Sequence, residues 1–363
     1  MAVQTSASLV DLLEQSKLLS PEELQSIRPL AQTVRDPKNL ASRLIRHGLV
    51  TPWQTKQLLR GGMHFFILHY KLLDKLGQGG MGAVYKAQDT TTQQIVAVKI
   101  LHQQSLGDRN AVERFRREVR IASSLRHPNI VAALDGGQVG EDAYLVMEYV
   151  EGKDVKQWQR LHPELPVDWC CECGKQAALG LQHAHEQGMV HRDVKPANIL
   201  AAAADLKVVP QVKILDMGLA RSLVGDFQDL TGTGEVLGTV DYLSPEQARS
   251  TKHVDIRSDV FSLGCTLFKM LSGEAAFVGK TNVEKLLSRN GPPRDLNQLR
   301  PDAPRELVAV VGKMLALDPK RRHQTPVEVA EALAPFSMTR EVVQRSSSPR
   351  PSSSLSPRPS SSL

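Results

Sequence analysis

The sequence predicts an α+β chain of two lobes, a small strand-rich lobe followed by a large helical one, preceded by a small all-helical module. Three observations predict it. From Tyr70 onward apolar and polar residues alternate on both sides of a glycine cluster, the period of half-buried antiparallel strands. From about Asp168 the pattern turns to long helical segments that run to about Ala334. Before residue 62 a weak internal repeat reads as helix, turn, helix in each of two copies.

Composition bounds the reading. At 363 residues the chain exceeds what one core usually serves, so two or three folded units are expected, and a 41% hydrophobic content fills them. The formal charge of +6, from 45 basic and 39 acidic residues, is dilute over this length. It fits ordinary solubility and gives no nucleic-acid footprint. Cys170, Cys171 and Cys173 are crowded and Cys265 stands alone. No ligand spacing for zinc is completed, and neighbours so close do not bridge well, so reduced, half-buried helix residues in a cytoplasmic protein are expected. The first residues lack a basic stretch followed by an apolar core, and no apolar run reaches the ~18 residues of a membrane span.

In the helical module, Leu9, Leu13, Leu18 and Pro21 superpose on Leu40, Leu44, Leu49 and Pro52. The second helix of each copy opens with cap chemistry, Ser20-Pro21-Glu22-Glu23 and Thr51-Pro52-Trp53-Gln54. The hydroxyl caps, Pro sits where no donor is lost, and Glu23 or Gln54 reaches back. Leu19 and Val50 stand as hydrophobic staples. The module is expected to span residues 1–62, with Trp53 in its core, and 63–69 to be a linker.

In the small lobe, KLLDKLGQGGMGAVYKAQD holds Gly77, Gly79, Gly80 and Gly82 between two strands, and QQIVAVKIL ends a third at Lys99. Glycines at such a turn let backbone amides approach phosphate groups. A helix over about 110–125 carries Glu118, whose carboxylate can pair with Lys99 if the helix packs on the strand. The strand AYLVMEYV, residues 143–150, brings Met147 and then Glu148-Tyr149-Val150 to a connector whose backbone can meet an adenine edge.

The stretch MVHRDVKPANIL sets a carboxylate, an ammonium and an amide around one point: Asp193, Lys195 and Asn198. That set suits phosphoryl transfer, which needs an acceptor for the hydroxyl proton, a cation for the moving group and oxygen ligands for a metal. Asp216 ends the strand of QVKILDMG and can complete the metal site. Asp259 begins a helix expected to be buried, and Arg322 is available to pair with Glu246. The Ser- and Pro-rich tail, 337–363, cannot bury apolar area and is expected to be disordered.

Taken in order, the glycine loop, VAVK, the helix Glu, HRDVKPAN, DMG, SPE, the Asp259 helix and Arg322 resemble a eukaryotic-like bacterial Ser/Thr protein kinase over about residues 70–336. The resemblance implies a bilobal kinase fold, ATP and Mg2+, protein substrates modified on Ser or Thr, and autophosphorylation. It implies that Gly77, Gly79 and Gly82 cover the phosphates, that Lys99 holds them and that Glu118 positions Lys99. Asp193 is then the base, Lys195 steadies the γ-phosphate, and Asn198 with Asp216 holds magnesium. Leu76, Val84, Ala97, Met147 and Leu200 would sandwich the adenine, next to Glu148 and Val150. Arg192 implies control by a phosphothreonine, with Thr231 and Thr233 as candidates, and Thr239 fits the substrate loop. Relatives often dimerise through the small lobe, so a homodimer is an open arrangement with no direct sign in the residues.

Two departures stand out: Met217 where Phe is usual and Ser244 where Ala is usual. Neither removes a catalytic group. A pseudokinase scaffold and a small-molecule phosphotransferase are the alternatives. The intact set Lys99, Asp193, Asn198 and Asp216 weighs against the first, and the peptide-platform segment GTVDYLSPE against the second.

Overall fold

A computed structural model describes residues 3–79, 82–101, 119, 123–217, 240–249 and 254–339. The glycine Gly80, Glu118 with most of the helix expected over 110–125, the threonines Thr231, Thr233 and Thr239, and nearly all of the tail lie outside the described residues.

Four helices come first: α1 (Ser6–Ser16), α2 (Pro21–Thr33), α3 (Pro37–Arg46) and α4 (Pro52–Leu59). Both repeats open their second helix with a capping box. Ser20 Oγ accepts from the Glu23 amide while Glu23 Oε2 accepts from the Ser20 amide, and Thr51 and Gln54 do the same. Leu9, Leu13, Leu40 and Leu44, the superposed leucines of the repeat, are almost fully enclosed in one core with Leu58 and Phe65. Trp53 is half-buried rather than central, and it packs against both this core and the neighbouring sheet.

The sheet of the small lobe has six antiparallel strands, β1 (Phe66–Ile67), β2 (Tyr70–Gly79), β3 (Gly82–Asp89), β4 (Ile95–Leu101), β5 (Ala133–Val139) and β6 (Asp142–Glu148). Their spatial order is β1-β2-β3-β4-β6-β5. Because side chains alternate across a strand, β4 feeds two cores. Val96, Val98 and Ile100 join Tyr70, Leu72 and Ala87 on the face next to Trp53, whereas Ala97 and Leu101 join Leu145 and Met147 on the other. The last strand stops at Glu148, so Tyr149 and Val150 lie beyond it.

A small second sheet follows: β7 (Lys153–Asp154), β8 (Ile199–Ala202) and β9 (Gln211–Ile214), paired antiparallel in that order. The large lobe is otherwise helical among the described residues, with α5 (Val155–Leu161), α6 (Val167–Glu186), α7 (Pro245–Arg249), α8 (Ile256–Ser272), α9 (Asn282–Ser288), α10 (Leu296–Leu299), α11 (Arg305–Met314) and α12 (Pro326–Leu333). Helix α8 is enclosed along nearly its whole length and packs against α6 and α11. The four cysteines are free and fully buried, not half-buried: α6 is a central helix of this lobe, and burial pushes the Cys171 and Cys265 thiols up to about 12.

Candidate active site

The site forms where a loop before β8 meets the end of β9. Residues 191–195 lead into a short turn, Pro196–Asn198, which hands the chain to β8. Two side chains converge on Asp193. Lys195 Nζ lies 2.8 Å from its Oδ2, and Asn198 Nδ2 donates to the same oxygen at 3.0 Å and to the Asp193 carbonyl at 2.8 Å. The ammonium and the amide read from the sequence thus both meet the carboxylate.

This loop is held from below by α8. Arg192 has a left-handed backbone, φ 64, which costs energy for a residue with a Cβ. Asp259 offsets that cost, since its two oxygens accept the His191 amide at 2.7 Å and the Arg192 amide at 2.8 Å. His191 is itself fully buried; its Nδ1 accepts from the Asp193 amide and its Nε2 bonds the Leu215 carbonyl at 2.9 Å. Through its two ring nitrogens His191 thus joins the loop to the end of β9. Burial raises the Asp259 carboxyl above its ordinary range despite these donors.

Asp216, two residues past β9, also has a left-handed backbone, φ 53. Its Oδ2 lies 2.7 Å from Lys99 Nζ. Partial burial raises the Asp216 carboxyl, but Lys99, His191 and Lys195 outweigh it and hold the group below its usual range. Register places Lys99 opposite Val84 on one side and Leu145 on the other, and Ala97 opposite Met147. Val84, Ala97 and Met147 accordingly share one apolar patch on the Lys99 side of the sheet. Leu76 stands 45% exposed at an irregularity in β2, and Leu200 is half-buried on β8; neither belongs to that patch.

The glycines differ in what they face. A Cβ on Gly77 or Gly79 would meet open space, whereas one on Gly82 would overlap the Ile100 carbonyl oxygen. Met217 is buried with the large-lobe core, and buried Ser244 exchanges bonds with Gln247, whose Nε2 donates to the Arg192 carbonyl at 3.0 Å. Glu246 and Arg322 form a two-bond pair at 2.6 and 2.9 Å.

Two contributors, Lys213 and Asn129, belong to none of the sequence motifs. Glu148 Oε1 accepts from Lys213 Nζ at 2.7 Å and from the Ala132 amide at 2.8 Å, tying the connector to β9. The signal was a lysine within the apolar run of β9, a position that needs a buried partner. Asn129 was the other: its Nδ2 donates to the Val212 carbonyl at 2.8 Å and to Gln176 at 2.9 Å.

An oxygen pair of one amide and one carboxylate, Asn198 and Asp216, fits magnesium, which takes few protein ligands and completes its shell with phosphate and water. Fixing Asn198 Nδ2 on Asp193 leaves the amide oxygen for that role.

The protein kinase domain family matches residues 70–333. Serine/threonine-protein kinase PknB of Mycobacterium leprae is 40% identical over 265 residues, covering 72% of this chain and 42% of that protein. The probable serine/threonine-protein kinase CPE1738 of Clostridium perfringens is 37% identical over 264 residues, 72% of this chain and 37% of that protein. The chain therefore spans about two fifths of the length of these curated relatives. Among solved structures, the PknI kinase domain of Mycobacterium tuberculosis aligns with a TM-score of 0.59 at 26% identity, covering 74% of this chain and 96% of that one. Rad53 1–466 in complex with AMP-PNP aligns with a TM-score of 0.62 at 27% identity, covering 78% and 70%. A family match over residues 70–333, on a strand-rich lobe and a helical lobe that meet at the Asp193 loop, means that the chain belongs to the protein kinase family and is similar to its bacterial serine/threonine members.

Proposed function

We propose that this chain moves the γ-phosphoryl group of ATP to Ser or Thr hydroxyls of proteins, its own activation segment included. The observation that carries the reading is the joint contact of Asp193 with Lys195 and Asn198. Both partners engage Oδ2, so Oδ1 is the oxygen offered to the substrate hydroxyl. Asp193 orients that hydroxyl and takes its proton, and Lys195 is close enough to neutralise charge on the transferred group. Lys99, paired with Asp216 in this structure, is the cation for the remaining phosphates. Bound magnesium would sit on Asn198 and Asp216 and supply charge neutralisation between the phosphates. Val84, Ala97 and Met147 form the apolar wall for the base; Leu76 and Leu200, which lie outside that patch, are assigned to the base by family likeness alone.

Arg192 and the threonines Thr231 and Thr233 make up the control device of this reading, a phosphothreonine pairing with the arginine. The domain plan that goes with it is a helical module, 1–62, a linker, 63–69, a kinase domain, 70–336, and a tail, 337–363. Four free cysteines support a reducing, cytoplasmic setting. Among the described residues no helix is long and apolar enough to cross a membrane. The homodimer rests on family likeness alone, and sedimentation of the full chain decides it.

The test is incubation of wild type and Asp193→Asn with labelled ATP and magnesium, followed by phosphosite mapping. Loss of the carboxylate should slow transfer by about 10²–10⁴-fold, the usual worth of a positioned base. Label on Thr231 or Thr233 in wild type only is the expected result. Equal labelling of both proteins would remove Asp193 from the proposed role.

A further inference from the structure

The helical module is fastened to the strand that leads into the glycine loop. Strand β2 carries two register irregularities, between Leu72 and Asp74 and between Lys75 and Gly77. The first leaves Leu73 without a partner on β3, and carbonyls at such a bulge need donors from elsewhere. Helix α4 provides them. Thr51 Oγ1 donates to the Leu73 carbonyl at 2.6 Å, and Gln54 Nε2 donates to the Leu72 carbonyl at 2.7 Å. Gln54 is 1% exposed, so its amide is committed to this contact. Lys71 Nζ reaches the Leu18 carbonyl at 2.9 Å, a third bond between module and strand.

Trp53 adds packing to these bonds. Its ring meets Phe65 at 5.9 Å and Tyr85 at 5.5 Å, both edge-on. Tyr85 pairs with Lys75 on β2, and its neighbour Val84 pairs with Gly77 and with Lys99. Successive residues of β3 point to opposite faces, so Tyr85 packs with the Trp53 side and Val84 with the Lys99 side. The same strand pair therefore carries the module on one face and the nucleotide-facing groups on the other.

We propose that Thr51, Trp53 and Gln54 are positioning residues for the nucleotide. The module acts as a brace that fixes the twist of β2 and β3, and with it the placement of Gly77, Gly79 and Gly82 relative to Lys99. This rests on the kinase reading given above.

The experiment uses the full chain, with ATP, magnesium and a Ser/Thr peptide, and reads KM for ATP, KM for peptide, kcat, and the Kd of a fluorescent ATP analogue. Gln54→Met keeps the shape and removes the donor, and Thr51→Val does the same for the hydroxyl. Each should raise KM and Kd for the nucleotide about three- to tenfold, the effect of one lost buried hydrogen bond, at unchanged peptide KM. Trp53→Ala should act in the same direction and Trp53→Phe should recover most of the loss. Glu14→Ala, which removes an exposed ion pair to Arg28 within the module, should behave as wild type. If Trp53→Ala fails to fold, the two isosteric variants decide alone. Wild-type nucleotide KM and Kd in both of them would overturn the brace. A wild type that binds nucleotide without turnover overturns the kinase reading while Kd still decides the brace, and one that does not bind nucleotide overturns both.

Discussion

The glycines of the loop serve two different ends, and single residues can separate them. Gly82 has φ +153, and a Cβ there would overlap the Ile100 carbonyl oxygen, which is backbone and cannot swing aside. Gly77 and Gly79 face open space, so a methyl group there harms no packing. Gly82→Ala is expected to lower stability by about 1–3 kcal/mol, while Gly77→Ala changes it little and acts on nucleotide affinity instead. Denaturant midpoints of the two variants check this, and equal midpoints would refute the division. The motif alone could not have made it. Sequence spacing marked four glycines as one cluster, but which of them lies against β4 depends on a register that only the folded sheet fixes.

Among the elements, helices α2 and α4 begin alike and end in different surroundings. Ser20 and Thr51 each close a capping box, yet only Thr51 also donates to a strand carbonyl. Removing the Ser20 hydroxyl should cost about 1 kcal/mol, the usual worth of a cap. Thr51→Ala should cost more, because the Leu73 carbonyl loses a partly buried donor as well. Equilibrium unfolding of Ser20→Ala and Thr51→Ala measures the difference; a smaller loss for Thr51→Ala would mean the strand contact adds nothing. This pair also shows what the sequence could reveal. Caps, strand alternation and the Asp193, Lys195, Asn198 spacing are local, so their chemistry is written within a few residues. The contacts of Thr51 with Leu73, Glu148 with Lys213, and Asp259 with the His191 and Arg192 amides span the chain, and no local signal names the partner. Trp53 is the intermediate case: its size announced burial, but the sheet it packs against could not be read from its own helix.

At the scale of the whole molecule, one buried ion pair joins the segment after the activation region to the end of the kinase domain. The Arg322 side chain is fully enclosed, bonded to both Glu246 oxygens and to the carbonyls of Ala316, Leu317 and Arg257, above the Phe261 ring at 4.8 Å. Ser258 Oγ donates to Glu246 Oε1 at 2.5 Å. Removing one partner strands the other without compensation, so Arg322→Ala should destabilise by about 3–5 kcal/mol. The pair also sets a pH dependence. Burial raises the Glu246 carboxyl, but Arg322 and Ser258 outweigh it and hold the group below its ordinary 4.5. A depressed acid contributes fully above its unfolded value and loses that contribution as pH falls through the lower folded one. Asp259, raised by burial, works in the opposite sense, favouring the fold on acidification, and it is shared by wild type and any Glu246 variant. The stability difference between wild type and Glu246→Gln therefore isolates the pair. It should hold steady from neutral pH down to about 4.5 and shrink below, as read by thermal melting of both proteins in matched buffers. A difference that stays level or grows below 4.5 would mean that the Glu246 carboxyl is not depressed, and that Arg322 is held by its carbonyl contacts alone.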